Sequence, residues 1–199
     1  MASTRRRLPP EQRRELIVEA AGRLFGQRGY DGTRLDAVAA AAGVTKPVLY
    51  RHFADKTALY LALLDRHRED LGSFAGALPP GGPLEARLRS VLEVWLDYVQ
   101  AHDYAWRMLF RDTGGGEEVR AYRVGVHARA RDVLAGLLGH LAPAPIPERE
   151  LQPLAELLRM GMASLVLWWI ETPGVERDAV LDAMVRVWTG LLTAGHSRG

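Results

Sequence analysis

The sequence predicts an all-α fold of nine helices, and three observations carry that reading. Apolar residues recur at helical spacing in nine successive stretches, no stretch alternates with period two over a useful length, and glycine or proline clusters part the stretches. No internal repeat is present.

The first stretch lies between Pro10 and Arg28, where Leu16, Ile17, Ala20, Ala21, Leu24 and Phe25 mark one buried face; Gly29 stops it as a left-handed cap. Thr33, three residues before Asp36, opens a short alanine-rich helix over 36–42, its hydroxyl placed to accept from the Asp36 N–H. Gly43 supplies the positive φ of a sharp turn. Thr45 is placed to cap a third helix running to about His52, with Pro47 tolerated in its first turn. Asp55 caps a fourth, from Lys56 to about Ala77, and LPPGGP at 78–83 ends it. Five more follow at roughly 84–101, 104–111, 117–141, 148–171 and 176–194. They are separated by Gly114-Gly115-Gly116, by the APAPIP stretch ending at Pro147, and by Thr172-Pro173-Gly174.

With 199 residues, 48% hydrophobic and 25% charged, the chain has the composition of a globular protein with one sizeable core or a small module fused to a larger one. The absence of cysteine removes disulfides, zinc fingers and thiol catalysis, and suits a reducing cytoplasm. MASTRRRLPP lacks the apolar run of a signal peptide. The most apolar run, 160–170, is about half of the ~20 residues that span a bilayer, so no membrane partner is expected. Net charge is only +2, but residues 1–60 hold eleven Lys or Arg against six Asp or Glu, and the remainder fifteen against eighteen. The basic end is where a polyanion would be met.

The six histidines, His52, His67, His102, His127, His140 and His196, show no HExxH or paired metal spacing. P-loop, GxSxG and Rossmann glycine patterns are absent, and the triple glycine lacks the Lys and Ser/Thr of a phosphate loop. The chain is expected not to be an enzyme and to need no cofactor or metal.

The informative segment is LDAVAAAAGVTKPVLYRHFADKTALY, residues 35–60. Two short helices joined by a glycine turn, the second basic and aromatic, are what a reader of the DNA major groove needs. From Ile17 to Leu63 the chain resembles the N-terminal domain of the TetR family of regulators. The resemblance rests on LIVEAAGRLFGQRGYDGTRLDAVAAAAGV followed by LYRHFADKTALYLALL. It implies a helix-turn-helix DNA-binding domain over 9–55, a ligand-binding and dimerising body over 56–199, and residues 1–8 as a flexible basic arm. Within that arm, Arg5-Arg6-Arg7 reads as a solvated tail, with phosphate or minor-groove contact as the alternative.

The resemblance also implies residue roles. Thr45, Lys46, Pro47 and Tyr50 lie on the exposed side of the recognition helix; Tyr50, His52 and Lys56 meet phosphates; Thr33 and Arg34 contact the DNA backbone. Arg51 is a further contact. Pro47 stands where the family often has Gly and lacks an N–H, so base reading falls to Lys46 and Thr45. Leu49 and Phe53 have the spacing of packing residues.

Beyond Pro83 no family motif is legible. Four of the five tryptophans lie at 95–169, and Trp95, Tyr98, Trp106, Phe110, Tyr122 and Trp168 are candidates to line a pocket for an apolar or amphipathic effector. The alternative for each is plain core packing. Arg107, Arg123 and His127 are candidates to neutralise a ligand carboxylate. Two apolar stripes near the end, Leu154, Leu157, Leu158, Gly161, Leu165 and Trp168, then Val180, Leu181, Met184, Val187, Trp188 and Leu191, predict a four-helix homodimer interface. The expected protein is a cytoplasmic repressor released from a palindromic double-stranded operator by its effector. A helical binding module without DNA binding is the alternative.

Overall fold

The computed structural model describes residues 9–73 and 79–193, with side chains described outside 69–78. The Arg5-Arg6-Arg7 tract and the fourth helix's expected end at Ala77 lie outside the described residues. The described residues form nine helices and no strand: α1 Pro10–Gly32, α2 Leu35–Ala41, α3 Lys46–His52, α4 Lys56–Ser73, α5 Leu84–Ala101, α6 Asp103–Phe110, α7 Glu117–Leu141, α8 Glu148–Glu171 and α9 Arg177–Thr193.

Helix starts follow the expected chemistry in part. Pro10 and Pro47 sit in first turns, and Asp55 Oδ1 accepts the Ala58 N–H at 2.8 Å at the head of α4. Glu117 and Glu118 at the head of α7 complement its positive end. Two expected caps are corrected. Arg34, not Thr33, is the N-cap of α2, and neither it nor Thr45 makes a side-chain cap bond.

Two cores form. The first gathers Ile17, Phe25, Val38, Leu49 and Phe53 from α1–α3 with Leu59, Tyr60, Leu63 and Leu64 of α4, so it continues past residue 55. Each such large apolar side chain withdrawn from water contributes about 1.5–3 kcal/mol. The second is built from α5, the latter half of α7, α8 and α9, around Leu96, Leu138, Val166, Leu181 and Met184. Helix α6 serves both, since Met108 and Leu109 belong to the first core and Trp106 to the second.

The second core corrects the dimer stripes. Leu158, Val180, Met184 and Trp188 are buried inside the subunit, and Leu154, Leu165 and Leu191 pack half-buried against that core. Of the residues named, Leu157, Gly161, Trp168 and Val187 face outward. Helix α8 is also long and apolar enough by composition to cross a membrane, the one such helix among the described residues. Its apolarity divides between the inner face and this outer stripe.

Helix α1 meets α6 through glycine. A Cβ on Gly22 would come within 2.5 Å of the Tyr104 ring, and one on Gly26 within 2.5 Å of Tyr104 Cβ and 2.8 Å of its Cα. The backbones touch because these two positions, one turn apart, carry no side chain. Gly26→Ala is expected to force α1 from α6 and cost about 1–3 kcal/mol. Differential scanning calorimetry should show a Tm lowered by roughly 3–10 °C; an unchanged Tm would contradict this packing.

Candidate nucleic-acid interface and effector cavity

Leu49 is fully buried and Phe53 nearly so, and they fix α3 against the first core; Arg14 also lies over the Phe53 ring at 5.0 Å. With that face inward, Thr45, Lys46, Pro47, Tyr50 and Arg51 are exposed together, joined by Arg34 at the start of α2. Gly43 makes the turn between the helices with φ of 65°. The exposed set carries three cations, a phenol and an uncapped threonine hydroxyl, groups that donate to phosphates or base edges. Lys46 Nζ pairs with Asp36 Oδ1 at 2.8 Å, and Arg34 lies 3.8 Å from the same carboxylate. The Lys46 bond holds Asp36 below the usual carboxylate range, and Asp36 holds Lys46 above its own.

Two expected backbone contacts, Thr33 and Lys56, have other work, and a third, His52, is half-buried. Thr33 is buried, its hydroxyl directed at the Gly29 carbonyl at 2.8 Å and the Leu24 carbonyl at 3.2 Å. Lys56 Nζ donates to Tyr30 O at 2.9 Å and Thr33 O at 3.2 Å and sits over the Tyr30 ring. Both residues satisfy carbonyls near the end of α1, where Gly29, at φ 69° and ψ 176°, breaks the helical hydrogen-bond ladder. An ammonium has three N–H groups, so Lys56 keeps one for other use. His52 is half-buried with Nε2 unpartnered among the described residues; burial first, then Arg51, Arg13 and Arg14, hold its pKa low. It is a neutral ring rather than a cation at neutral pH.

The junction between the cores is a set of bonds converging on Asp112, immediately beyond α6. Its Oδ2 accepts the Tyr30 N–H at 2.7 Å and the Tyr60 O–H at 2.9 Å, and its Oδ1 accepts the Gly114 N–H at 2.9 Å. Burial, reinforced by the Asp112 charge, keeps the Tyr60 hydroxyl protonated and donating. Arg123 donates to the Asp112 carbonyl at 2.5 Å and to the Gly114 carbonyl, with its guanidinium over the Tyr60 ring. No sequence motif announced Asp112; its signal is only a polar residue beside a glycine run.

A cavity of about 550 Å³ lies among α4–α9, within the ~300–1,000 Å³ range of small-molecule sites. Of the eight candidates, Trp95, Trp106, Phe110 and His127 line it. The other four do not. Tyr98 OH is held by His67 Nδ1 at 2.5 Å, Tyr122 OH bonds Asp65, Arg123 is buried on the Asp112 loop, and Trp168 is 52% exposed. Arg107 pairs with Asp103 and Glu171. Lining residues absent from the expectation include Met162, Arg129, Arg159 and Trp188, the last assigned above to the dimer stripe. A guanidinium only donates, so the 3.1 Å contact from Arg159 Nη1 makes His127 Nδ1 the acceptor and the ring neutral. Burial, then Arg159, lower the His127 pKa accordingly. No cluster of three or more metal-ligating side chains occurs among the described residues.

Two histidines therefore have folded pKa values below their ordinary 6.5. Between 6.5 and those lowered values the unfolded chain binds more protons, so stability is full above this window and falls as pH drops through it. Thermal unfolding in steps from about pH 7.5 to 5.5 should show a declining Tm, with a shallower decline in a His52→Gln, His127→Gln double variant. An equally steep decline in that variant would contradict the assignment.

The model of "Bacterial regulatory proteins, tetR family" matches residues 17–63, and that of "Tetracyclin repressor-like, C-terminal domain" matches 84–191. The HTH-type transcriptional activator FasR of Mycolicibacterium smegmatis is 30% identical over 188 residues, 93% of this chain and 85% of that protein. A TetR-family regulator structure from Streptomyces coelicolor superposes with TM-score 0.73 at 26% identity, covering 94% of this chain and 85% of that one. A TetR-like regulator from Rhodococcus sp. RHA1 gives TM-score 0.71 at 26% identity, covering 97% and 100%. Helix-turn-helix, helical body and both family models agree: the chain belongs to the TetR family of DNA-binding transcriptional regulators, a family of regulators and not of enzymes.

Proposed function

We propose that this regulator binds a two-fold-symmetric operator as a homodimer, in the cytoplasm, and that an effector in the cavity weakens that binding. Residues 9–55 act as the reader and 56–199 as the sensing and dimerising body, with the first half of α4 packed in the reader's core. The observation that carries this reading is the double role of α6. Trp106 and Phe110 on α6 line the cavity, and two residues beyond its end Asp112 grips Tyr30 of α1. A ligand that displaces those rings moves the clamp on the reader. Ligand and operator then favour different spacings of the two recognition helices, which is a two-state coupling with reciprocal effects.

The dimer surface in this reading is the outward face of α8 and α9. Leu157, Met160, Gly161 and Trp168 follow helical spacing on α8, with Val187 and Gly190 on α9. A Cβ on Gly161 or Gly190 would meet nothing within 4 Å, which leaves room for a second helix to approach closely. A symmetric pair of readers requires half-sites about one helical turn of DNA, or a multiple of it, apart.

Repression follows when the bound dimer obstructs the promoter. Activation is the second reading, favoured by the similarity to FasR, which is named as an activator. It uses the same release with the operator placed where the dimer assists polymerase.

In gel shifts with the chain's own upstream DNA, Arg34→Ala should weaken binding to all sequences and flatten the log–log salt dependence by about one unit. Lys46→Ala should instead change discrimination among operator variants. Identical behaviour of the two would overturn the division of roles. Trp168→Glu should give monomers at micromolar concentration in sedimentation and lose operator binding; a dimeric variant would contradict the assigned face.

A further inference from the structure

The cavity's charge distribution narrows its occupant, and this inference rests on the ligand-responsive reading above. Of the nineteen described lining residues, three are arginines, one is histidine and none is Asp or Glu. Two of those cations are already balanced. Arg159 makes a bidentate pair with Glu156 at 2.5 and 2.9 Å, and Arg68 pairs with Asp65 at 3.0 Å. Arg129 has no carboxylate partner among the described residues. It is exposed, as is Val133 one turn further along α7, so these two mark the opening.

The deeper walls are of another kind. Trp95 and Trp106 meet edge to face at 5.2 Å, and Phe110 lies 4.9 Å from Trp106. The Trp106 indole N–H is directed at the Ala163 carbonyl at 3.4 Å and that of Trp188 at the Met162 sulfur at 3.3 Å, so both donors are turned to protein acceptors. His127 spends Nδ1 on Arg159. The chamber thus offers hydrocarbon and ring faces inside and, at the opening, a cation without a carboxylate partner among the described residues. A cationic ligand would meet repulsion there, and a neutral one would leave Arg129 unused.

We propose that the effector is an anionic amphiphile, an acyl chain seated among Trp95, Trp106, Phe110, Met162 and Trp188 with its acidic end at Arg129. Two sources share this chemistry, a free fatty acid and its coenzyme A thioester. An exposed Arg–anion bond adds a modest, salt-sensitive increment to the hydrophobic binding of the chain.

The test is titration of the purified full-length protein at low salt, below micelle formation, with dodecanoate, dodecanoyl-coenzyme A, dodecanol and dodecylamine. Tryptophan fluorescence reports binding, because Trp95, Trp106 and Trp188 line the site. At least one of the two anions is expected to bind about tenfold more tightly than dodecanol, with dodecylamine weakest. The tighter of the two identifies the source. Arg129→Gln should bring that anion and dodecanol within about twofold of each other. Dodecanol or dodecylamine binding as tightly as both anions, selectivity that survives Arg129→Gln, or no binding by any probe would overturn the proposal. Operator affinity measured on the same samples separates the two inferences. Anion-selective binding that leaves the operator complex untouched supports the ligand class and overturns the ligand-responsive reading. Intact operator binding without anion selectivity overturns the ligand class alone.

Discussion

The Asp112 carboxylate accepts two N–H groups and one O–H from three separate places: Tyr30 at the break in α1, Tyr60 in α4, and Gly114 in its own loop. A hydrogen bond to a charged acceptor contributes about 1.5–3 kcal/mol; removing the acceptor leaves the Tyr60 hydroxyl only the Met108 carbonyl at 3.1 Å and takes from the Tyr30 N–H its side-chain partner. The constraint explains several neighbours. A Cβ on Gly29 would lie 3.2 Å from Asp112 Oδ1, and the residue's φ of 69° with extended ψ is accessible essentially to glycine alone. Thr33 and Lys56 take up carbonyls around the resulting break, which sets the entry into α2 and hence the attitude of the recognition helix. Reader and body are thereby held at one carboxylate and one glycine-lined helix contact, beside the apolar core that α1–α4 share with Met108, Leu109, Val119 and Val126.

Helix α6 is eight residues long, yet it is shared by both cores and by the cavity. Half of its residues are buried, so a displacement imposed by a ligand at Trp106 and Phe110 is passed on to its packing against α1. Coupling energies between ligand and DNA sites are typically about 1–3 kcal/mol. That is the size of the interactions α6 and the Asp112 loop make with the reader. Regulation in this account needs no long chain of intermediates between ligand and DNA, since one helix touches both sides.

What the sequence disclosed depended on whether a side chain's type decides its environment. Leu49 and Phe53 were readable as inward because apolar residues at helical spacing have one destination, and Gly43 because a positive φ has few other tenants. Asp55 was readable as a cap for the same reason. Thr33 and Lys56 were not, because a hydroxyl or ammonium serves a phosphate and a backbone carbonyl equally well. The fold decides between them by where α1 breaks. The apolar residues of α8 and α9 were legible as such, but not which of them the subunit's own core takes. Both helices are apolar on two faces, so Leu158 and Trp188 turn inward while Leu157 and Trp168 turn outward without any change of residue type. In the cavity, aromatic residues with hydroxyl tips, Tyr98 and Tyr122, went to polar partners on α4, whereas Trp95, Trp106 and Phe110 went to the void. Arg159 and Arg129 were missed because nothing in their sequence neighbourhood distinguishes a lining arginine from a surface one.

The claim on which the account turns is that reader and body form one cooperative unit through Asp112 and α6. All five tryptophans lie between positions 95 and 188, in the body, whereas far-ultraviolet circular dichroism reports every helix, the reader's included. The direct measurement is denaturant unfolding followed by both signals, for the native chain and for Asp112→Ala, at one protein concentration. Coincident transitions are expected in the native chain, and an earlier loss of helical signal than of tryptophan signal in Asp112→Ala. Separate transitions in the native chain, or coincident ones that persist in Asp112→Ala, would contradict the claim.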